Sequence, residues 1–463
     1  MLFNSLAFVA FFAVVYPLYR ALPHRGQNHV LLLASWFFYG WWDVRFLGLL
    51  LFTTAVDWAI GLRIEGTSNP ELRRRWLITS VVVNLGVLAT FKYFGFFAHE
   101  LEVALQGLGL PLVVPFPELV LPVGLSFYTF QSMAYTIDVY RRHVPAVRRL
   151  ADFALFVSFF PQLVAGPIER ARDLIPQLQA PRRVDRDRMA EGTWLILWGF
   201  FKKLFVADNA AALVARVFDD PAPTAGLVLL GAYAFCWQIY GDFSGYSDIA
   251  RGLGKWMGIE LSVNFRTPFF ASSPRDLWRR WHITLSQWLR DYLYIPLGGN
   301  RGGRARTTAA LVTTMALGGL WHGANWTYLV WGLYHGAALA LQRILPPLPP
   351  SRIVRAVAIV AMFHFTALGF LVFRANSMTQ AWTMLGAFLR PTAPGGAEAV
   401  LLGQLIVIVA PLLLVDAVQY LRGEEGWMFR LPRPAQAVLS AAVFLAVVFL
   451  GASFESQFIY FQF

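Results

Sequence analysis

His322 is the residue best placed to do acid–base chemistry, and it stands in the apolar residues 320–323 (LWHG). The pKa of a histidine lies close to neutrality, so a positioned imidazole can take a proton from a hydroxyl group as a general base. An imidazole in apolar surroundings is costly unless it is partnered or used. The alternative is a helix-packing histidine, which the nearby Gly318, Gly319 and Gly323 also favour.

His282 is the second candidate, within residues 278–286 (WRRWHITLS), where arginines are interleaved with tryptophans. This pattern is typical of the membrane–water interface, where a histidine need not do any chemistry. Beside His322, it can orient the base or the substrate. His335 and His364 lie within apolar segments and are rival candidates, but no local signature surrounds them and we expect packing residues.

Residues 297–303 (LGGNRGG) form a basic, glycine-rich turn that can present backbone N–H groups to a phosphate. We expect Asn300, Arg301 and Arg304, together with Arg280, to contact a phosphate-bearing donor. A plain loop explains the same composition, because the turn lacks the spacing of a P-loop.

Metal and thiol catalysis have no support in the sequence. It contains no H-E-x-x-H, no G-x-S-x-G and no cysteine–histidine zinc spacing, so we predict no metal site. The single cysteine, Cys236, lies inside an apolar run and is expected to be buried. We expect Asp242 and Asp248 to form structural ion pairs with the nearby Arg251 and Lys255.

The elements that must position these residues lie in a bilayer. Of the 463 residues, 57% are hydrophobic and 14% are charged, against about 25% charged in an average soluble domain. Apolar runs of about 17–25 residues recur along the chain, which is the length a helix needs to cross the hydrocarbon. The net charge of +12 is spread over short clusters between these runs, which argues against nucleic-acid binding.

The positive-inside rule places the basic clusters in the cytoplasm. They follow the first, third and fifth apolar spans, at residues 20–25, 63–75 and 141–149. Residues 153–165 are too short and too proline-broken to cross, so we expect a re-entrant segment there. Further spans are predicted at residues 191–207, 224–240, 352–373, 398–420 and 434–452. Lys202 and Lys203 fit this topology poorly, and both termini are predicted outside the cytoplasm.

Two apolar legs, residues 307–320 and 324–341, flank His322 and are bounded by Arg306 and Arg343. Both outer ends therefore face the cytoplasm, and the legs lift His322 by roughly 20–27 Å into the membrane. Residues 241–306 mix aromatic and basic residues with proline and glycine. Because irregular backbone at membrane depth needs protein or a water-filled cavity around it, this region implies a cavity.

The chain ends in an aromatic hexapeptide, residues 458–463 (FIYFQF), which contains a single hydroxyl group, that of Tyr460. Anchoring at the membrane interface is one explanation. The alternative is that this tail folds back into a cavity, where Tyr460 receives an acyl group as a phenolic ester.

Together these motifs resemble those of the membrane-bound O-acyltransferase superfamily, and most closely its bacterial branch of alginate O-acetyltransferases and teichoic-acid D-alanyl transferases. The resemblance covers nearly the whole chain. Its markers are residues 121–128 (LPVGLSFY), 161–168 (PQLVAGPI), 240–246 (YGDFSGY), 280–282 (RWH), 321–323 (WHG) and the terminal 458–463.

The resemblance implies an all-α membrane protein in which about ten to twelve transmembrane helices, with re-entrant and interfacial ones, surround a central tunnel. A single domain would span residues 1–463, with a catalytic core at 241–343 and an extracytoplasmic tail at 453–463. The family's catalytic histidine corresponds to His322 and its second polar position to His282. Tyr460 resembles the family's acyl-relay element.

The implied activity moves an acyl group, by likeness acetyl, across the bacterial inner membrane to a polysaccharide such as alginate. The donor would be acetyl-CoA or an acyl-carrier thioester, used as a substrate without a bound cofactor. An extracytoplasmic SGNH-type acyltransferase would complete the transfer to the glycan. A transporter or flippase, or a non-catalytic scaffold in a glycan-export complex, are the alternatives at this point.

Overall fold

A computed structural model describes residues 1–110, 119–346, 349–390, 393, 395–452 and 458–459. All regular elements among these residues are helical. The chain divides into two compact units, residues 1–192 with 250–262 and residues 193–249 with 263–463. The prediction of a single domain with a core at 241–343 stays a prediction.

The first unit is built from nine helices within the described residues. They are α1 (Leu6–Ala21), α2 (His24–Gly40), α3 (Val44–Gly66), α4 (Pro70–Leu88), α5 (Phe94–Gly107), α6 (Leu125–Tyr140), α7 (Leu150–Ser158), α8 (Phe160–Leu163) and α9 (Ala171–Gln179). A π-helical turn, Ala89–Tyr93, joins α4 to α5. Asn69 caps the start of α4, and Pro70 occupies its first turn, where a missing N–H costs nothing.

A buried polar cluster ties α3, α4 and α6 together around Asp57. Its carboxylate accepts hydrogen bonds from Ser80 Oγ (2.6 Å), Asn84 Nδ2 (2.8 Å) and Ser132 Oγ. Thr136 extends the cluster through Ser80, at 2.9 Å between the hydroxyl oxygens. Because buried polar groups need hydrogen-bond partners, these shared bonds fix which faces of the three helices meet.

The proline-broken segment at residues 153–165 consists of the two short helices α7 and α8, which are separated at Phe159. Every residue from 152 to 170 is buried. The prediction that this segment is too short to cross is consistent with its two short helices, while its re-entrant course stays a prediction.

The second unit carries the remaining helices of the described chain. They are α10 (Arg186–Phe200), α11 (Asp208–Phe218), α12 (Ala225–Trp256), α13 (Pro274–Trp278), α14 (Ile283–Leu289), α15 (Gly303–His322), α16 (Trp326–Ile344), α17 (Arg352–Arg374), α18 (Met378–Ala387), α19 (Gly396–Arg422) and α20 (Arg433–Leu450). Helix α10 begins in the first unit and α12 ends there. Cys236, in α12, is buried as predicted.

Among the described residues, five helices are long and apolar enough to span a membrane. They are Val44–Gly66, Pro70–Gly107 (α4 to α5), Arg352–Arg374, Gly396–Arg422 and Arg433–Leu450. The chain is therefore a multi-pass membrane protein. The predicted spans 352–373, 398–420 and 434–452 coincide with α17, α19 and α20 within two residues.

The predicted hairpin around His322 is formed by α15 and α16. Helix α15 ends at His322, and α16 begins after Asn325, whose side chain accepts a hydrogen bond from the Thr327 N–H. The two legs approach so closely that a Cβ on Gly319 would lie 2.2 Å from the Tyr328 carbonyl oxygen. Glycine is required for this packing.

Lys202 and Lys203 lie in a π-helical segment, Phe201–Ala207, between α10 and α11. Both are buried, and each forms an ion pair: Lys202 Nζ with Asp248 (2.7 Å) and Lys203 Nζ with Asp242 (2.8 Å). The predicted pairs of Asp242 and Lys255 were wrong. Asp242 pairs with Lys203, a residue distant in sequence, and Lys255 pairs with Glu191 and Glu260, each at 2.9 Å.

The close packing of α12 against this π-helical segment explains those pairs. A Cβ on Gly241 would lie 2.8 Å from the Lys202 carbonyl oxygen, and one on Gly245 would lie 2.8 Å from the Gly199 carbonyl oxygen. The spacing G-x-x-x-G puts both glycines on one face of α12. The two lysines that fitted the topology poorly are thus interior charges neutralised by aspartates.

Candidate active site

His322 is the last residue of α15 and is 5% exposed. Its ring is surrounded by aromatic rings, with centroids 5.1 Å from Trp321, 5.3 Å from Trp331 and 5.3 Å from Phe373. These rings come from α15, α16 and α17. The tip of the hairpin therefore carries an imidazole into an aromatic enclosure.

His282 is fully buried and precedes α14. Its Nδ1 lies 3.1 Å from Asn264 Oδ1, an oxygen that also accepts hydrogen bonds from the backbone N–H (3.3 Å) and hydroxyl (3.0 Å) of Thr284. The Thr284 N–H can only donate, which identifies the Asn264 atom as the oxygen. His282 must then carry its proton on Nδ1, and the lone pair of the neutral ring lies on Nε2.

The backbone around His282 is held in an unusual conformation. His282 has φ +42°, in the left-handed region that side chains other than glycine seldom adopt. Two backbone hydrogen bonds, Ile283 N–H to Asn264 O and Arg266 N–H to Arg280 O, both at 2.9 Å, hold the flanking segments together. Strain of this kind persists only where the surroundings impose it, and it is concentrated at functional sites.

The two histidines share a neighbour, Trp321. Its ring lies 6.0 Å from the His282 ring and 5.1 Å from the His322 ring. Burial lowers the pKa of His282 well below its usual range, and the nearby His322 lowers it further. His282 is therefore neutral at physiological pH, as a proton or hydrogen-bond acceptor must be.

His335 and His364, the two further histidines named from the sequence, differ from this pair. His335 is buried among aromatic rings, 4.8 Å from Trp331 and 5.2 Å from Trp278, and neither ring nitrogen has a hydrogen-bond partner among the described residues. His364 is exposed, and its Nδ1 lies 2.8 Å from the Val360 carbonyl oxygen, one turn back along α17. Its exposure shows that His364 is a helix-surface residue.

The residues predicted to bind a donor do not gather at the histidines. Asn300, Arg301 and Arg304 are exposed. Arg304 lies in the first turn of α15 and His322 is its last residue, so about 27 Å of helix separates them. Asn300 Oδ1 instead accepts hydrogen bonds from Arg343 and from the Tyr294 hydroxyl, both at 2.8 Å.

Arg280 is two residues from His282, but its side chain serves a different place. It pairs with Asp276 (2.8 Å), donates to Thr267 Oγ1 (3.2 Å) and lies 5.4 Å over the Tyr420 ring. It lines a cavity of about 730 Å³ together with Arg266 and Arg355. This cavity is polar, and its three arginines face two carboxylates, those of Glu424 and Glu425, of which Glu425 lies 3.8 Å from Arg266.

Tyr460, the predicted relay, lies outside the described residues. Of the predicted tail, only Phe458 and Ile459 are described, and both are buried. Sequence reasoning also missed Asn264, because an isolated asparagine carries no signal until the fold places it against His282.

A model of the membrane-bound O-acyltransferase family matches residues 141–389, which include both histidines and the hairpin. The chain belongs to the membrane-bound O-acyltransferase family. It is therefore an O-acyltransferase, and the resemblance seen in its motifs is confirmed.

Three relatives illustrate the range of this family. The chain is 45% identical to the probable alginate O-acetylase of Azotobacter vinelandii, over 84% of this chain and 78% of the relative. It is 34% identical to the peptidoglycan O-acetyltransferase of Helicobacter pylori, over 83% and 79%. It is 28% identical to the teichoic acid D-alanyltransferase of Bacillus subtilis, over 54% and 68%. The names of these three relatives refer to acylation of alginate, peptidoglycan and teichoic acid.

Proposed function

We propose that this O-acyltransferase takes an acetyl group from a cytoplasmic thioester and delivers it for O-acetylation of an extracytoplasmic polysaccharide, such as alginate. The observation that carries the proposal is the buried pair of His282 and His322, which share Trp321 as a neighbour, in a chain similar to enzymes named for alginate and peptidoglycan O-acetylation. The inner membrane, with both termini outside the cytoplasm, is the location we propose.

The reaction assigns the histidines different roles. His322 acts as the general base that takes the proton of the acceptor hydroxyl. The oxygen of that hydroxyl attacks the thioester carbonyl carbon. The carbon–sulfur bond breaks, and the proton passes to the departing thiolate. Asn264 orients the Nε2 lone pair of His282. Through that nitrogen, His282 accepts a hydrogen bond beside His322 and holds the reacting groups in place.

We propose acetyl-CoA or an acyl-carrier thioester as the donor, bound as a substrate. The arginines of the polar cavity lined by Arg280 are the groups that would contact its phosphates. Asn300, Arg301 and Arg304 lie at the arginine-bounded end of the hairpin, which the positive-inside rule assigns to the cytoplasm. They fit a role where the donor first meets the protein, far from the reacting atoms.

The acceptor that we propose inside the membrane is the phenol of Tyr460. Its acetyl ester would then pass to an SGNH-type partner outside the cytoplasm, which transfers the group to the glycan. The burial of Phe458 and Ile459 supports this role, because the described part of the tail lies within the second unit. A ring of ten to twelve helices around a tunnel, which the family resemblance implies, would provide the path.

Intact-protein mass spectrometry of the purified enzyme in lipid nanodiscs tests the proposal. After addition of acetyl-CoA, with no acceptor present, we expect the chain to gain the mass of one acetyl group. The Tyr460→Phe variant, which retains the ring, should gain none, and peptide mapping should place the adduct on Tyr460.

An adduct of equal yield in Tyr460→Phe would remove Tyr460 from the mechanism. Thioester consumption without any adduct would instead indicate direct transfer to an external acceptor. A transporter or a scaffold would consume no thioester.

A further inference from the structure

The described end of the chain is held inside the second unit by its backbone. The Ile459 N–H donates to Asp242 Oδ2 at 2.6 Å, and Phe458 and Ile459 are 3% and 1% exposed. The Phe458 ring lies 5.2 Å from Tyr246 and 6.2 Å from Phe243. Chain termini are poorly ordered unless they are tied down, so these contacts must offset the entropy of ordering the tail.

Asp242 is itself fixed by a buried cation. Lys203 Nζ lies 2.8 Å from Asp242 Oδ1 and 2.7 Å from Asp208 Oδ1, and the three side chains are at most 10% exposed. One lysine thus bridges two buried carboxylates. A further N–H donor on Asp242 is strongly favoured in such a place, because hydrogen bonds to charged groups are the stronger ones.

The same turn of α12 reaches the histidine pair. Phe243 follows Asp242 in the chain, and its ring lies 4.7 Å from the His282 ring in an edge-to-face arrangement. Phe243 also contacts Phe458. The residues that hold the tail therefore adjoin the residues that we assign to acyl transfer.

We propose that Asp242, held by Lys203, is a positioning residue that seats Phe458 and Ile459 against Phe243, the residue whose ring contacts His282. Its functional meaning rests on the proposed acyl relay, since Tyr460 directly follows Ile459. The hydrogen bond from the Ile459 N–H to Asp242, here called the anchor, does not depend on the relay, because it joins two residues that the structure describes.

Hydrogen–deuterium exchange of the full-length enzyme in nanodiscs tests the anchor. Asp242→Leu removes the acceptor at similar volume, and Lys203 keeps Asp208 as its partner. We expect the peptide that contains Phe458 and Ile459 to exchange about tenfold to a hundredfold faster in this variant. Asp242→Asn is the matched control, because its amide oxygen can still accept the Ile459 N–H, and we expect much smaller acceleration.

Exchange in peptides from α15 and α16 reports whether the rest of the unit stays folded. Should Asp242→Leu fail to insert, Asp242→Ala removes the same acceptor with less steric demand. An unchanged exchange rate of the tail peptide in a folded variant would overturn the anchor.

Kinetics test the positioning role. In Asp242→Leu we expect kcat for acetyl transfer to fall at least tenfold. KM for acetyl-CoA should change less than twofold, because Asp242 does not line the cavity in which we place the donor phosphates. Partial recovery of kcat in Asp242→Asn would support positioning. A released tail with unchanged kcat would overturn it. Full activity of Tyr460→Phe would refute the relay alone, while the exchange result would still decide the anchor.

Discussion

Two buried polar regions of this enzyme are built in opposite ways. In the first unit, Asp57 is surrounded by hydroxyl and amide groups from α4 and α6 that donate short hydrogen bonds to it. In the second unit, His282 and His322 are surrounded by aromatic rings, and the hydrogen bond between His282 and Asn264 sets the tautomer of His282. Both regions place ionisable groups in an apolar interior.

We infer from this difference that the Asp57 cluster has a structural role and the two histidines have a chemical role. The Asp57 cluster uses its polar groups on one another, which stabilises helix packing. At the histidines, the aromatic walls exclude water and Asn264 directs the lone pair of His282 to the Nε2 side of the ring. If this contrast is correct, changes at the histidines should remove activity from a folded protein, and changes at Asp57 should remove folded protein without changing its activity.

The largest effect is expected from His322→Ala. Loss of general-base assistance should lower acetyl transfer by about 10²- to 10⁴-fold, while the protein still inserts and remains folded. Transfer of labelled acetyl from acetyl-CoA by purified enzyme measures this. His364→Ala is the control, because His364 is exposed on α17, and it should keep full activity. Normal transfer by His322→Ala would exclude His322 as the base.

A smaller loss is expected from Asn264→Leu. Without the oxygen acceptor, the Nδ1 proton of His282 loses its partner, and the cost of about 1–3 kcal/mol for a buried hydrogen bond corresponds to roughly 5- to 150-fold in rate. The loss should appear in kcat and not in KM for the donor. Asn264→Asp keeps an acceptor at the same position and should restore part of the rate. If both variants lose activity equally, orientation of His282 is not the reason.

The smallest effect on activity is expected from Asp57→Ala. This change leaves the donors of Ser80, Asn84 and Ser132 without their acceptor, which should lower the free energy of unfolding by several times the 1–3 kcal/mol cost of one unsatisfied group. A lower thermal midpoint in detergent would show it. Activity per folded molecule should stay within about twofold of the wild type, and a selective loss of turnover would contradict the assigned structural role.

The sequence predicted those features that depend on local pattern. The hairpin was predictable because two apolar legs ended in arginine on the same side, and α15 and α16 confirm it. The partners of Asp242 and Lys255 could not be found in this way, because nearness in sequence favoured residues on the same helix. The G-x-x-x-G face of α12 determines that Lys203 is the partner of Asp242, and only the packed helices show which segment lies against that face.

The arginines near the glycine-rich turn teach a similar lesson. The composition of this turn predicted a donor site. Helix α15, however, places Arg304 and His322 at opposite ends of one continuous helix. Arg280 is two residues from His282 in sequence, but its side chain lines a cavity with Arg266 and Arg355, and its role toward the donor stays a prediction.

The left-handed backbone at His282 limits how this position can change over evolution. Asparagine, aspartate and histidine are the residues that tolerate positive φ best after glycine, whereas β-branched side chains are strongly disfavoured there. Drift at position 282 is therefore restricted mainly to polar side chains that can hydrogen-bond, even before selection acts on activity. Sterics alone thus favour glycine, asparagine, aspartate or histidine at this position, and the last three can hydrogen-bond through their side chains.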